Sequence, residues 1–177
     1  MTFHYLDRVG QIAVNLFTGY GYNFYRVENR LRADDQLVRT TAAALLGQAR
    51  AAVDAAESAY RREHMPAPTR AAPFPPAKAV AAAQALERLA RDIGALEARV
   101  RTQPAPANDR MTQLYRAEAD TLARLIERDK RLVGEAELLR EMLAGADGEA
   151  MLATLSDARA RMDAIAEALR ERGMVLV

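Results

Sequence analysis

The feature that most constrains this chain is a run of apolar residues spaced alternately three and four apart. Ala79, Ala82, Leu86, Leu89, Ile93, Leu96 and Val100 keep that rhythm without a miss. Such spacing gathers every member on one side of an α-helix, whereas on a strand it would scatter them over both faces. A stripe this narrow is hidden most effectively against another helix, as in a coiled-coil seam. The same step recurs elsewhere. Val38, Ala42, Leu45, Leu46, Ala49, Val53, Ala56 and Tyr60 form one stripe; Met111, Tyr115, Ala119, Leu122, Ile126, Val133, Ala136, Leu139 and Leu143 form another. Met151, Leu155, Ala158, Met162, Ile165 and Leu169 form a last one.

Breaker residues divide these stripes. Residues 65–78 hold five of the seven prolines and cannot be helical, so they are read as a semi-rigid, extended connector. Gln103 to Asp109 contains two prolines, and Asn108 or Asp109 is placed to cap the helix that follows. Gly145 to Gly148 makes a tight connection, and Gly173 is a natural stop. The expected division is a head over 1–33, a helix over 34–64 and a proline-rich linker over 65–78. A three-helix coiled-coil-like body over 79–173 and an apolar tail over 174–177 complete it. The first body helix starts near Asp35, or as early as Phe24, because neither glycine nor proline interrupts residues 24–46.

Charge spacing agrees with helix. Glu57/Arg61, Glu87/Arg91, Glu97/Arg101, Asp120/Arg124, Glu127/Arg131 and Asp157/Arg161 all place an acid four residues before a base. Each pair adds only about 0.2–0.5 kcal/mol, so their value is diagnostic. The expected fold is therefore all-α: an antiparallel bundle or coiled-coil hairpins of about four long helices. A short N-terminal helix and an aromatic, glycine-containing loop precede it. Helix seams of this kind also allow association with a second copy of the chain.

Two residues interrupt the pattern. Asp129 falls where the stripe between Ile126 and Val133 expects an apolar side chain. The expectation is that the stripe drifts there and Asp129 meets Arg128, Lys130 or Arg131 at the surface; the sharper alternative is a buried group that fixes helix register or binds a ligand. Gly134, in a helix interior, costs about 1 kcal/mol and marks a bend or a close contact.

Much chemistry is missing. With no cysteine there are no thiolate zinc sites, iron–sulfur clusters or cysteine nucleophiles. The only histidines are His4 and His64, preceded three residues earlier by Met1 and Arg61, so the Glu-x-x-His pairs of a di-iron bundle are absent. Gly19-Tyr-Gly-Tyr-Asn lacks the third glycine of a dinucleotide fingerprint, and no phosphate loop or nucleophile elbow occurs. No enzymatic activity and no cofactor or metal are expected. A net charge of +1 argues against a general nucleic-acid surface. Arginine dominates, with Lys78 and Lys130 the only lysines among 25 basic residues, and the chain is rich in alanine; both fit a GC-rich bacterial gene. The opening residues lack a leader's uninterrupted apolar core, and no apolar run is long enough to span a membrane, so a cytoplasmic location is expected.

The head is the segment singled out for function. Phe3, Tyr5, Phe17, Tyr20, Tyr22, Phe24 and Tyr25, seven of the ten aromatics, fall in the first 25 residues. Tyr20, Tyr22 and Phe24 alternate with Gly19, Gly21 and Asn23, so an extended chain shows three rings on one side. Arg26, Arg30 and Arg32 follow. Tyrosine and arginine bury large area while keeping hydrogen-bonding tips, which is why they dominate interface hot spots. The expectation is a non-enzymatic adaptor, accessory subunit or assembly factor. It docks another protein through Phe17, Tyr20, Tyr22, Phe24, Tyr25, Arg26, Arg30 and Arg32. A ring lid over the bundle end is the bland alternative. Two further functions are open: nucleic-acid or anionic-ligand binding by the same rings and arginines, opposed by Glu28, Asp34 and Asp35, and peripheral binding of amphipathic helices to a membrane or granule surface.

Overall fold

The structure, a computed structural model, describes residues 31–70, 72–103 and 118–175, and among them the chain is all-α with no strand. Five helices follow in order: α1 (Leu31–His64), α2 (Ala77–Arg101), α3 (Glu118–Leu143), α4 (Gly148–Ala153) and α5 (Leu155–Val175). The short N-terminal helix, the aromatic loop, Met111, Tyr115 and residues 176–177 of the tail lie outside the described residues. No described helix is long and apolar enough to cross a membrane.

The stripes become the core. α1 buries Val38, Ala42, Leu45, Leu46, Ala49, Val53 and Ala56, with Tyr60 half-buried at its end. α2 buries Leu86, Leu89, Ile93, Leu96 and Val100 against them, so each large side chain contributes about 1.5–3 kcal/mol. One position differs: Ala83 is buried where the strict seam names Ala82, because a straight helix of 3.6 residues per turn drifts from a 3.5 repeat. α1 and α2 run in opposite directions, since Arg39 reaches the end of α2 while Arg61 meets Glu87 at 3.4 Å. Their approach is close at two glycines. Glu97 of α2 lies over Gly47, and a methyl group on Gly94 would come within 3.3 Å of Arg50 Nη1.

α1 also packs on α3, and α3 packs on α5. Leu132, Val133, Ala136, Leu139 and Leu143 of α3 join Ala158, Ile165, Ala168 and Leu169 of α5 in the same core cluster. Gly134 is buried within α3.

Helix ends correct several expectations. α2 begins at Ala77, two residues before the start read from the stripe, because Pro76 at φ −58° and ψ 129° leads directly into a helical turn. The connector is not simply extended. Thr69 and Ala72 exchange backbone hydrogen bonds of 3.0 and 3.2 Å, and Ala72 N–H also donates to Thr69 Oγ1, closing a tight turn within it. After α3, Gly145 takes φ +71°, the left-handed conformation that ends a helix at least cost for glycine. Asp147 then caps α4 by accepting from Ala150 N–H at 2.8 Å. The last helix is interrupted at Thr154, whose hydroxyl donates to Ala150 O at 3.0 Å and competes with the helical ladder. Gly173 is not a stop: α5 continues to Val175. Among the described glycines only Gly145 has positive φ, and a glycine without that turn leaves the helix free to run on.

Candidate functional site

Of the residues singled out for docking, Phe17, Tyr20, Tyr22, Phe24, Tyr25, Arg26 and Arg30 lie outside the described residues. Arg32 falls in the first turn of α1, with its side chain outside the description. The structure describes none of their side chains. What it does bring together is a set of charges that the sequence expectation had left at the surface.

Asp129 and Arg172 are both 0 % exposed, and Arg172 Nε donates to Asp129 Oδ1 at 2.7 Å. This overturns the surface reading of Asp129. The apolar stripe does not drift there; α5 supplies a guanidinium opposite the carboxylate. Arg172 stands three residues after Leu169, at the next step of the α5 stripe, so both charges occupy seam positions of facing helices. Each ion alone would cost several kcal/mol to bury, and the short charge-assisted bond offsets much of that.

Flanking pairs line the same helix junction. Glu135, itself buried, accepts from Arg161 Nη1 at 2.8 Å. The Glu171 carboxylate of α5 lies 3.1 Å from Arg128 Nε and 3.8 Å from Arg131 Nη1, as ion pairs. Two of the four-residue pairs expected along single helices are thus diverted. Arg161 leaves Asp157 for Glu135, and Arg131 leaves Glu127, whose carboxylate is instead 3.9 Å from Lys130. Distance decides this, since a neighbour across a packed helix pair is as near as one a turn away. Glu57/Arg61, Glu87/Arg91 and Glu97/Arg101 do form on their own helices, the last two at 3.0 and 2.7 Å. Asp120 and Arg124 lie outside the described side chains.

Near the start of α1, Arg39 is largely buried. Its Nη1 donates to Gln103 O at 2.9 Å and Arg101 O at 3.4 Å, and its Nη2 donates to Gln36 Oε1 at 3.0 Å. A cation here satisfies carbonyls that the end of α2 leaves without helical partners and meets the negative end of its dipole.

The chain matches no protein-family model, no curated protein and no solved structure. Its function must be read from its own residues.

Chemically, Asp129 and Arg172 form a fixed ionic contact. A carboxylate held by a buried guanidinium is poorly placed to exchange protons with a substrate, whereas it is well placed to fix how α3 and α5 align. His64 sits in a different setting. Its ring lies 4.2 Å from that of Tyr60 and its Nε2 is 4.0 Å from carboxylates of both Glu63 and Glu149. Among the described residues no group of three or more His, Asp or Glu side chains is arranged to hold a metal ion. Several ion pairs shift their ionisation in the ordinary direction. The hydrogen bond from Arg170 lowers the Glu167 carboxyl below its usual range, and those from Arg61 to Glu57 and Arg140 to Glu137 raise the two guanidinium groups.

Arg172 had a readable signal that the sequence reading passed over: continuing the α5 stripe one more step lands on it. Arg39 had none, because its acceptors are the backbone of a helix end more than sixty positions along the chain.

Proposed function

We propose that this chain is a non-enzymatic helical interaction protein, an adaptor, accessory subunit or assembly factor. It docks a protein partner through the aromatic segment Phe17 to Arg32. In this reading the helices form an antiparallel bundle whose role is to hold the docking segment and set spacing. One observation carries it. The described core is filled by alanine, leucine, valine and isoleucine with Met151, and Tyr60 is the sole aromatic packed against it, half-buried. Seven of the ten aromatic residues fall in the first 25 positions, with Arg26, Arg30 and Arg32 just after them. Rings and arginines grouped in this way are the material of interface hot spots.

The decisive experiment pairs binding with stability. Tyr20→Ala and Tyr22→Ala are expected to abolish capture of the partner recovered from the native host, with helicity and melting temperature unchanged. If both variants lose helicity and melt early, the rings are core and the docking reading fails. Retention of single-stranded RNA or DNA at low salt, or co-sedimentation with anionic liposomes, would replace the protein partner with the corresponding ligand.

A further inference from the structure

The long helices are not held equally. α1 packs on α2, α3 and α4, whereas α5 packs chiefly on α3 and meets α2 and α4 only at the margin. The large apolar side chains buried on α2 are Leu86, Leu89, Ile93, Leu96 and Val100. On α5 they are Ile165 and Leu169, with Leu155 and Met162 partly buried beside them. At about 1.5–3 kcal/mol for each fully buried side chain, α5 gains markedly less from burial than α2 does.

Charge takes up part of the difference. Asp129 joins α3 to Arg172 of α5 at 2.7 Å, Glu135 joins it to Arg161 at 2.8 Å, and Glu171 reaches back to Arg128 at 3.1 Å. Such pairs select an alignment, but the loss of their hydration cancels much of their attraction. An element held by few apolar contacts opens at a lower free energy than the core it rests on. The chain also bends at a suitable place. Thr154, at φ −101° and ψ 14°, separates α4 from α5. α4 is seated on the first hairpin: Met151 is 0 % exposed, and Gly148 lies against Tyr60. The anchored helix therefore ends where the weakly held one begins.

We propose that α5 is a strap, hinged at Thr154 and closed on α3 by ion pairs, that lifts while α1, α2, α3 and α4 stay packed. Lifting turns Asp129 and Glu135 out into water and frees the side of α3 that α5 covers. This device is independent of the aromatic head.

Native-state hydrogen exchange of the full-length, isotope-labelled chain in low urea tests it amide by amide. Amides from Met162 to Leu169 should exchange through an opening smaller than global unfolding. Corrected for intrinsic rates, they should be about tenfold or more faster than buried α1 amides, with a shallower urea dependence. Val53→Ala, in the core of α1, should speed α1 amides by about tenfold and leave α5 amides unchanged, since Val53 stays buried when α5 lifts. Gly148→Ala strains α4 against Tyr60 and should also leave α5 unchanged, because α4 stays seated. Arg161→Ala leaves the buried Glu135 carboxylate without its partner and should speed α5 amides by about tenfold. The proposal is overturned if α5 and α1 amides share one opening free energy and one urea slope. It is equally overturned if Val53→Ala or Gly148→Ala speeds both helices alike, or if Arg161→Ala leaves α5 exchange unmoved.

Discussion

The α1–α2 hairpin and the α3–α5 pair solve the same packing problem in opposite ways. Between α1 and α2 the buried surface is apolar apart from Arg39 at one end, with Leu45, Leu46, Leu86, Leu89 and Ile93 set among alanines. The side chains of Glu97 and Arg50 lie over Gly47 and Gly94, and the ion pairs Glu87/Arg91 and Glu97/Arg101 run along α2. Between α3 and α5 the charges have moved to the inside and across the gap, with Asp129 on Arg172 and Glu135 on Arg161. An apolar seam tolerates sliding, since its contacts are non-directional. A buried ion pair does not, because any slip leaves two charges without water and without each other. The polar pair adds alignment more than stability.

The largest effect should come from splitting that pair. Arg172→Met leaves Asp129 buried without its 2.7 Å partner and should cost about 3–5 kcal/mol in urea unfolding. The double variant Asp129→Leu with Arg172→Met should recover that loss or exceed the parent. If the single and double variants are equally damaged, the pair supplies stability and the contrast between the hairpins is wrong. Next in size is Leu86→Ala in the fully buried α1–α2 seam, expected to cost about 2–5 kcal/mol through lost burial and a cavity. It should show no rescue by any charge change. Gly148→Ala tests where the hairpins meet. A methyl there would lie 2.9 Å from the Tyr60 ring and 3.0 Å from its Cβ, so a loss of about 1–3 kcal/mol is expected in thermal melts.

How far the sequence led can be judged from the same contrast. The apolar seams were legible because each of their residues is interpreted alone: Leu86 or Val53 needs only a period and a neighbouring helix. Asp129 was not, because its placement depends on a residue 43 positions away, and a lone charge in a stripe reads as a surface drift. Reading the two stripe interruptions together, one acid on α3 and one base on α5, would have suggested the pair. Breaker residues were legible as breakers but not as geometry. Gly145 and Gly173 have the same composition signal, and only the first adopts the turn. The docking residues from Phe17 to Arg30 fall outside the described part of the chain, so the candidate site rests on composition and spacing.

The smallest expected effect lies on the solvent face. Glu167 is held below the usual carboxylate range by its hydrogen bond from Arg170. A depressed carboxyl contributes stability that is present above its unfolded pKa and is lost as pH falls through the folded value. Glu167→Gln should therefore flatten the acid limb of a stability–pH curve slightly and leave neutral stability within error, because exposed pairs are weak. A larger change at neutral pH would mean that surface pairs carry weight assigned here to the interior.

The buried ion pair also shapes the order of events during folding. Asp129 and Arg172 must give up their hydration before the turns that carry them arrive opposite each other, so a half-formed hairpin gains nothing from them and loses their water. The contact then resists opening more than it hastens closing. Its removal by apolar replacement should appear in a chevron as faster refolding, while disruption of Arg172 alone should appear mainly as faster unfolding.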